Sequence, residues 1–90
     1  MLKIRASRQF RKDLKKALKQ GKDGSKIGAV IGALGLQEPL AQKHVDHALT
    51  GNFKGFRECH IEPDWLLIYR VHEDMLDLTR TGSHSELFRK

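Results

Sequence analysis

Residues 56–81, FRECHIEPDWLLIYRVHEDMLDLTRT, decide the fold of this chain. Apolar and polar side chains alternate in three segments of the stretch, residues 56–61, 65–72 and 75–81. The polar breaks at residues 62–64 and 73–74 are typical of tight turns between strands. The pattern therefore predicts three antiparallel strands connected as a meander.

A strand and a helix are predicted ahead of the meander. In the first six residues apolar side chains alternate with charged ones, which indicates a short half-buried strand. Ser7 is a suitable N-cap for a helix over about residues 8–20, and Gly21 is a natural stop. The apolar side chains of this helix fall on one stripe, formed by Phe10, Leu14, Ala17 and Leu18.

A second helix is predicted to end before Pro39, since apolar residues recur at helical spacing from Ile27 to Leu34. Glycine in a helix interior costs about 1 kcal/mol relative to alanine, so we interpret the glycines of this segment as sites of close packing. These glycines are Gly28, Gly32 and Gly35.

The rest of the chain completes a single small domain. Residues 40–55 show no sustained period and are predicted to form a long connection, and residues 82–90 leave room for one helical turn. The element order β-α-α-β-β-β predicts an α+β fold, with two helices against one face of a small, mainly antiparallel sheet. We expect one domain that spans residues 1–90.

Length and composition exclude several classes of protein. A chain of 90 residues accommodates one core, and 39% hydrophobic with 31% charged residues is an ordinary globular composition. No apolar run approaches the roughly 18 residues that a membrane span needs, so we expect a cytoplasmic protein. The single cysteine, Cys59, excludes an internal disulfide and a thiolate metal cluster.

Positive charge is concentrated at the start of the chain. Residues 1–26 hold ten Lys or Arg against two Asp, a net charge of +8, so the remainder carries −2 of the total of +6. A basic segment of this density indicates an anionic partner, either nucleic acid or an acidic protein. A solvated helix face without a partner is the alternative interpretation.

Three histidines are candidates for chemistry. His60 lies on the predicted strand face opposite Cys59, beside the turn that carries Asp64, and we expect His60 and Asp64 to meet across it. His84 follows the last strand, and His47 lies in the long connection. The spacing allows these side chains to converge on one patch.

Such a set suits metal-independent RNA cleavage. A base removes the 2′-hydroxyl proton, positive charge stabilises the phosphorane, and an acid protonates the leaving oxygen. Histidine titrates near neutrality and fills either proton-transfer role. A metal site that includes His44 and His47 is the less favoured alternative, because no standard zinc spacing is present. Composition alone favours core positions for Trp65 and Phe88.

Two motifs identify a family resemblance. Residues 46–69, DHALTGNFKGFRECHIEPDWLLIY, and residues 80–88, RTGSHSELF, closely resemble the YafQ-type branch of the RelE superfamily of toxins from toxin–antitoxin systems. The resemblance covers essentially the whole chain. It implies a RelE-like fold and a ribosome-dependent endoribonuclease that cleaves mRNA in the ribosomal A site until a cognate antitoxin inactivates it.

The resemblance also implies roles for individual residues. Proton transfer falls to His60 and His84, orientation to Asp64, and the phosphate or the transferred proton to His47, with the direction of acid and base left open. Three groups of contacts with RNA are expected. The resemblance implies contacts from the aromatic residues Trp65 and Phe88 and from the basic first helix with Lys15, Lys16 and Lys19 at ribosomal RNA. Arg80 is expected at the phosphate because of its charge and its position at the end of the last strand. No cofactor or metal is expected.

Two departures from the family pattern are Ala48, where proline is common, and the additional terminal residues Arg89 and Lys90. Two alternative functions remain at this stage. A ParE-like toxin would inhibit gyrase by binding it, and a non-catalytic RNA-binding module would depend on the lysines but not on the histidines.

Overall fold

The computed structural model describes residues 1–88, so the additional charges expected from Arg89 and Lys90 lie outside the described residues. The strands are β1 Lys3–Ala6, β2 His47–Ala48, β3 Arg57–Glu62, β4 Trp65–His72 and β5 Met75–Gly82. The helices are α1 Arg8–Lys19, α2 Gly24–Gly35 and the short α3 His84–Phe88. Two 3-10 turns, Gln42–His44 and Gly51–Phe53, lie in the connection between α2 and β3.

The strands form one five-stranded sheet in the order β1-β5-β4-β3-β2. Pairing is antiparallel except between β1 and β5, which are parallel. The predicted α+β fold, meander and single C-terminal helical turn are confirmed. The fifth strand, β2, was missed because a two-residue strand shows no detectable alternation.

Helix α1 forms largely as its sequence predicts. The Ser7 hydroxyl accepts a hydrogen bond from the Phe10 N–H at 2.9 Å, which satisfies one of the free donors of the first turn. Phe10 and Ala17 are buried, and the stripe packs on the sheet. The prediction was wrong at Leu18, which is 46% exposed, because it lies at the border of the stripe.

Helix α2 is capped at its N-terminus by Asp23, whose carboxylate accepts a hydrogen bond from the Ser25 N–H. Its buried side chains are Ile27, Val30 and Leu34, as predicted. The interpretation of the glycines as close-packing sites was wrong at two positions, since a Cβ atom added at Gly28 or Gly32 would meet nothing within 4 Å.

The two faces of the sheet carry separate hydrophobic clusters. The larger cluster lies under α1 and α2 and includes Cys59, Ile61 and Trp65. The smaller cluster lies on the other face, where Leu66 and Ile68 pack with α3 and with phenylalanines of the connection. We call the first face the helix face and the second the histidine face. Among the described residues no helix has the length and hydropathy to cross a membrane.

Candidate active site

Strand β3 directs its side chains alternately to the two faces of the sheet. Cys59 and Ile61 are buried in the cluster of the helix face, so Glu58 and His60 point to the histidine face. The predicted orientation of His60 relative to Cys59 is therefore confirmed. A shift of register between His60 and Glu62 marks a bulge at the end of the strand, and the turn that carries Asp64 follows.

Asp64 binds His84. Its Oδ1 atom accepts hydrogen bonds from the His84 imidazole Nδ1 at 2.6 Å and from the His84 backbone N–H at 2.9 Å. The backbone hydrogen bond and then the imidazole hydrogen bond hold the pKa of Asp64 below its usual value. A carboxylate that accepts from Nδ1 orients the ring and leaves Nε2 free for chemistry.

His60 lies next to His84 and so approaches the Asp64–His84 pair from the His84 side. The ring centroids of His60 and His84 are 5.6 Å apart and nearly perpendicular, at 75°. The structure corrects the expected direct contact between His60 and Asp64, because the carboxylate is already engaged by His84 across the turn. His60, Asp64 and His84 nevertheless lie in one patch.

Glu58 is the site residue that sequence reasoning missed. Its Oε1 atom lies 3.3 Å from His60 Nε2 and 3.6 Å from His47 Nε2, and the residue is only 5% exposed. This buried carboxylate therefore links two of the three candidate histidines. Its position two residues before His60, on the same strand face, was the available signal.

His47 reaches the patch from the edge of the sheet. It pairs with Glu58 in the ladder between β2 and β3, and its Nδ1 donates a hydrogen bond to the Val45 carbonyl oxygen at 2.8 Å. Both ring nitrogens thus face oxygen atoms, one of a carbonyl and one of a carboxylate. The second histidine of the connection, His44, donates to the His60 carbonyl oxygen at 2.6 Å.

Helix α3 holds His84 in place. The Ser83 N–H donates to Glu86 Oε1 at 2.9 Å and the Glu86 N–H donates to the Ser83 hydroxyl at 3.2 Å, a reciprocal pair called a capping box. Lys16 of α1 donates to the other Glu86 carboxylate oxygen at 2.8 Å. These contacts lower the pKa of Glu86 to about 2, and the Lys16 hydrogen bond is the largest cause.

Two expected RNA contacts are engaged within the protein. Arg80 forms a bidentate ion pair with Asp13 of α1, with N–O distances of 2.7 and 3.3 Å. Lys16 binds Glu86. Carboxylates that are distant in sequence thus pair with both side chains, so a phosphate contact by either one would require exchange of its ion pair. Lys15 and Lys19 are exposed, and within residues 1–88 no carboxylate pairs with either of them.

The two aromatic residues differ in position. Trp65 is 0% exposed on the helix face, and its indole N–H donates to the Thr81 hydroxyl at 2.9 Å. Its burial overturns the expected RNA contact and agrees with the core position that composition favours. Phe88 is only partly buried, on the histidine face, and its ring stacks edge-on against Phe53 with centroids 5.9 Å apart.

The same patch offers ligands for a metal ion. One ligand atom each from Glu58, His60 and His84 lies within 4.8 Å of the other two. Ligand atoms that share one zinc or copper ion lie about 3–3.5 Å apart, given bond lengths near 2.0–2.1 Å. The three side chains would therefore have to move closer together to share one ion.

The sequence matches, over residues 2–89, the family described as the bacterial toxin of type II toxin–antitoxin systems, YafQ. The chain belongs to the YafQ family. Among family members, the mRNA interferase toxin YafQ of Escherichia coli strain K12 is 42% identical over 86 residues, which cover 94% of each chain.

Solved structures of two similar bacterial toxins have the same fold. A copper-bound mutant toxin from Helicobacter pylori matches with a TM-score of 0.94 and 51% identity, over 98% of this chain and 100% of that one. The YafQ structure in the Escherichia coli DinJ–YafQ complex matches with a TM-score of 0.90 and 40% identity, over 98% and 99% of the two chains.

Proposed function

We propose that this YafQ-family toxin is an endoribonuclease that cleaves mRNA in the ribosomal A site without a metal ion and so inhibits translation. The observation that supports it best is the proximity of two histidines: Asp64 holds the His84 ring, and the His60 ring lies 5.6 Å from it, measured between centroids. The name of the Escherichia coli relative, an mRNA interferase, supports the same activity.

Cleavage of RNA at a 2′-hydroxyl needs two proton-transfer groups at one phosphate. His84 presents its Nε2, because Nδ1 is bound to Asp64. His60 donates from Nε2 to Glu58, which leaves Nδ1 for the substrate. One ring removes the 2′-hydroxyl proton while the other protonates the leaving 5′-oxygen, and proton transfer of this kind contributes about 10²- to 10⁴-fold each.

The remaining groups stabilise charge and bind the message. His47 lies beside Glu58 at the same patch and is assigned to the phosphate or the transferred proton. Arg80 is assigned to the phosphate, which it would bind by exchanging its ion pair with Asp13 for the phosphate oxygens. Phe88 is assigned to a base, because its ring is partly exposed at the histidine face.

The partners follow from the family and from the charge. The DinJ–YafQ complex of a close relative supports a cognate antitoxin that inactivates this chain. The exposed Lys15 and Lys19 of α1 are assigned to ribosomal RNA, with the antitoxin as the alternative occupant of that surface. The toxin then acts in the cytoplasm, where translating ribosomes are found.

The proposal is tested by inducing wild type, His84→Ala and His60→Ala in cells and mapping mRNA 5′ ends on translating ribosomes by primer extension. His72→Ala is the matched control, because His72 is exposed at the far end of β4. New 5′ ends at A-site codons are expected for wild type and His72→Ala and are expected to be absent from the other two variants.

Two results would contradict the proposal. Growth arrest without new mRNA ends would favour a gyrase-directed toxin or a plain RNA-binding module. Wild-type cleavage by both His84→Ala and His60→Ala would exclude the assigned proton-transfer roles.

We also propose that a transition-metal ion inhibits this nuclease by occupying Glu58, His60 and His84. The three ligand atoms lie within 4.8 Å of one another, imidazole and carboxylate ligands suit copper and zinc, and a related toxin has been solved bound to copper. A bound ion would withhold both rings from proton transfer. Cu²⁺ should raise the melting temperature of wild type but not of His84→Ala, and a chelator should restore cleavage; equal shifts in both proteins would place the ion elsewhere.

A further inference from the structure

Strand β2 is too short to hold its own register. It consists of His47 and Ala48, which pair with Glu58 and Arg57 of β3. A slip of one residue turns every side chain of a strand to the opposite face, and a two-residue ladder provides few hydrogen bonds against such a slip. His47 would then leave the histidine face, so another contact is needed to keep it there.

Asp46 provides a contact of this kind on the other side of the sheet. Because successive side chains of an extended chain point to opposite faces, Asp46 points away from His47. The Tyr69 hydroxyl lies 2.8 Å from both Asp46 carboxylate oxygens, and Arg57 Nε donates to Oδ1 at 3.0 Å. At this edge of the sheet, Asp46 is thus anchored on the helix face, and the next residue, the candidate catalytic His47, lies on the histidine face.

The anchor is rigid because both partners of Asp46 belong to the sheet. Tyr69 is 2% exposed and lies in the core cluster of the helix face. Arg57 is the register partner of Tyr69 in the ladder between β3 and β4. Burial and the hydrogen bond to Asp46 raise the pKa of Tyr69, so its hydroxyl remains a donor at neutral pH. Asp46 is therefore fixed by two strands of the meander at once.

We propose that Asp46 is a positioning residue that sets the register of β2 from the helix face and so holds His47 beside Glu58. The structural part of this inference stands on the contacts of Asp46 alone, and its effect on cleavage rests on the nuclease function proposed above.

The structural part is tested by NMR on wild type, Asp46→Ala, Asp46→Asn and Tyr69→Phe. Asp74→Ala is the control, because Asp74 is an exposed carboxylate whose ion pair with Lys3 spans 3.8 Å. We expect the cross-strand contacts between His47 and Glu58, and the proton on His47 Nδ1, to be lost in Asp46→Ala. Asp46→Asn should retain part of both, since the amide oxygen still accepts from Tyr69. Unchanged cross-strand contacts and tautomer in Asp46→Ala and in Tyr69→Phe would overturn the inference.

Kinetics separates positioning from general loss of structure. Below the melting temperature of each variant, Asp46→Ala should lower the rate of mRNA cleavage on saturating ribosomes by about tenfold or more, with ribosome affinity unchanged, because small displacements of catalytic groups carry large rate costs. Tyr69→Phe should show a smaller loss and Asp74→Ala none. If Asp46→Ala unfolds, Tyr69→Phe carries the comparison.

The two hypotheses fail in different ways. An Asp46→Ala variant that cleaves at the wild-type rate, while His47→Ala and His84→Ala do not cleave, would overturn the positioning role and leave the nuclease intact. A wild-type protein that does not cleave mRNA would overturn the proposed function, and the NMR comparison would still test the register of β2.

Discussion

Trp65 shows at the residue scale how a buried hydrogen bond assigns an aromatic side chain to the core. The indole N–H donates to the Thr81 hydroxyl, which in turn donates to the Leu66 carbonyl oxygen at 2.6 Å. Lys22 covers the ring, with its Nζ atom 5.6 Å from the centroid. The side chain has no surface left for a base, so it contributes to the site through the packing of β4 and β5.

Trp65→Phe should therefore reduce stability and leave cleavage intact. We expect the free energy of unfolding to fall by about 1–3 kcal/mol, because volume and a buried hydrogen bond are both lost. Urea denaturation measures this change, and cleavage is compared well below the midpoint. Strong loss of cleavage by a fully folded Trp65→Phe protein would indicate that the ring does contact RNA.

Cys59 is a second residue whose behaviour follows from burial. It is fully buried between β3 and the helices, and burial raises the pKa of its thiol to about 12. The thiolate is the reactive form, so the native protein should react with an aromatic disulfide reagent far more slowly than the urea-unfolded protein does. Rapid labelling of the native protein at neutral pH would show that β3 opens to solvent.

At the element scale, α3 is a helix of five residues that depends on its contacts rather than on its length. Helices this short are unstable alone, and the capping box with the ion pair to α1 compensates. A Cβ atom added at Gly82 would lie 3.1 Å from Glu86 Oε1 and 3.3 Å from Leu87 Cδ2, so glycine allows the helix to sit close to the end of β5.

Glu86→Ala should loosen α3 and with it His84. We expect a loss of about 1 kcal/mol, which is typical for removal of a cap, and faster exchange of the Leu87 amide that bonds to the Ser83 carbonyl oxygen. The pKa of Glu86 is lowered to about 2, so its contribution is fully present above about pH 4.5 and is lost as the pH falls through its folded value.

Hydrogen exchange of wild type, Glu86→Ala and Glu38→Ala from pH 6 to pH 2, corrected for the pH dependence of intrinsic amide exchange, measures both effects. Glu38 is an exposed acidic residue that follows α2, so its removal should leave the Leu87 amide unchanged. Equal exchange of Leu87 in all three proteins would show that the capping box does not hold α3.

At the scale of the whole molecule, the positive charge is less available than its count suggests. Arg80 is bound to Asp13, Lys16 to Glu86 and Lys26 to Glu62. The exposed face of α1 keeps other cations in water, among them Lys15 and Lys19. These side chains are the ones that we expect to meet phosphates of ribosomal RNA.

Lys15→Ala and Lys19→Ala should each weaken ribosome binding and reduce the slope of log affinity against log salt by about one. Lys3→Ala is the control, because Lys3 lies on β1 and already faces Asp74. Binding is measured by sedimentation with ribosomes from low to moderate salt. Weaker antitoxin binding with unchanged ribosome binding would instead assign this face to the antitoxin.

The sequence by itself determined the helices and the longer strands, because strand alternation, helical stripes and caps are local properties. The meander, the two long helices and the orientation of His60 away from Cys59 all followed from residues close together in the chain. The motifs at residues 46–69 and 80–88 also led to the YafQ family. These features depend on side-chain period and identity, which can be read without the fold.

The tertiary structure alone decided which distant side chains meet. The pairing of Arg80 with Asp13, of Glu58 with His47 and of Asp46 with Tyr69 depends on the order of strands and on where the connection crosses the sheet edge. Local patterns carry no information about such pairings, because they are set by the packing of whole elements. For the same reason the motif predicted an RNA contact for Trp65, whereas the fold buries this side chain in the core.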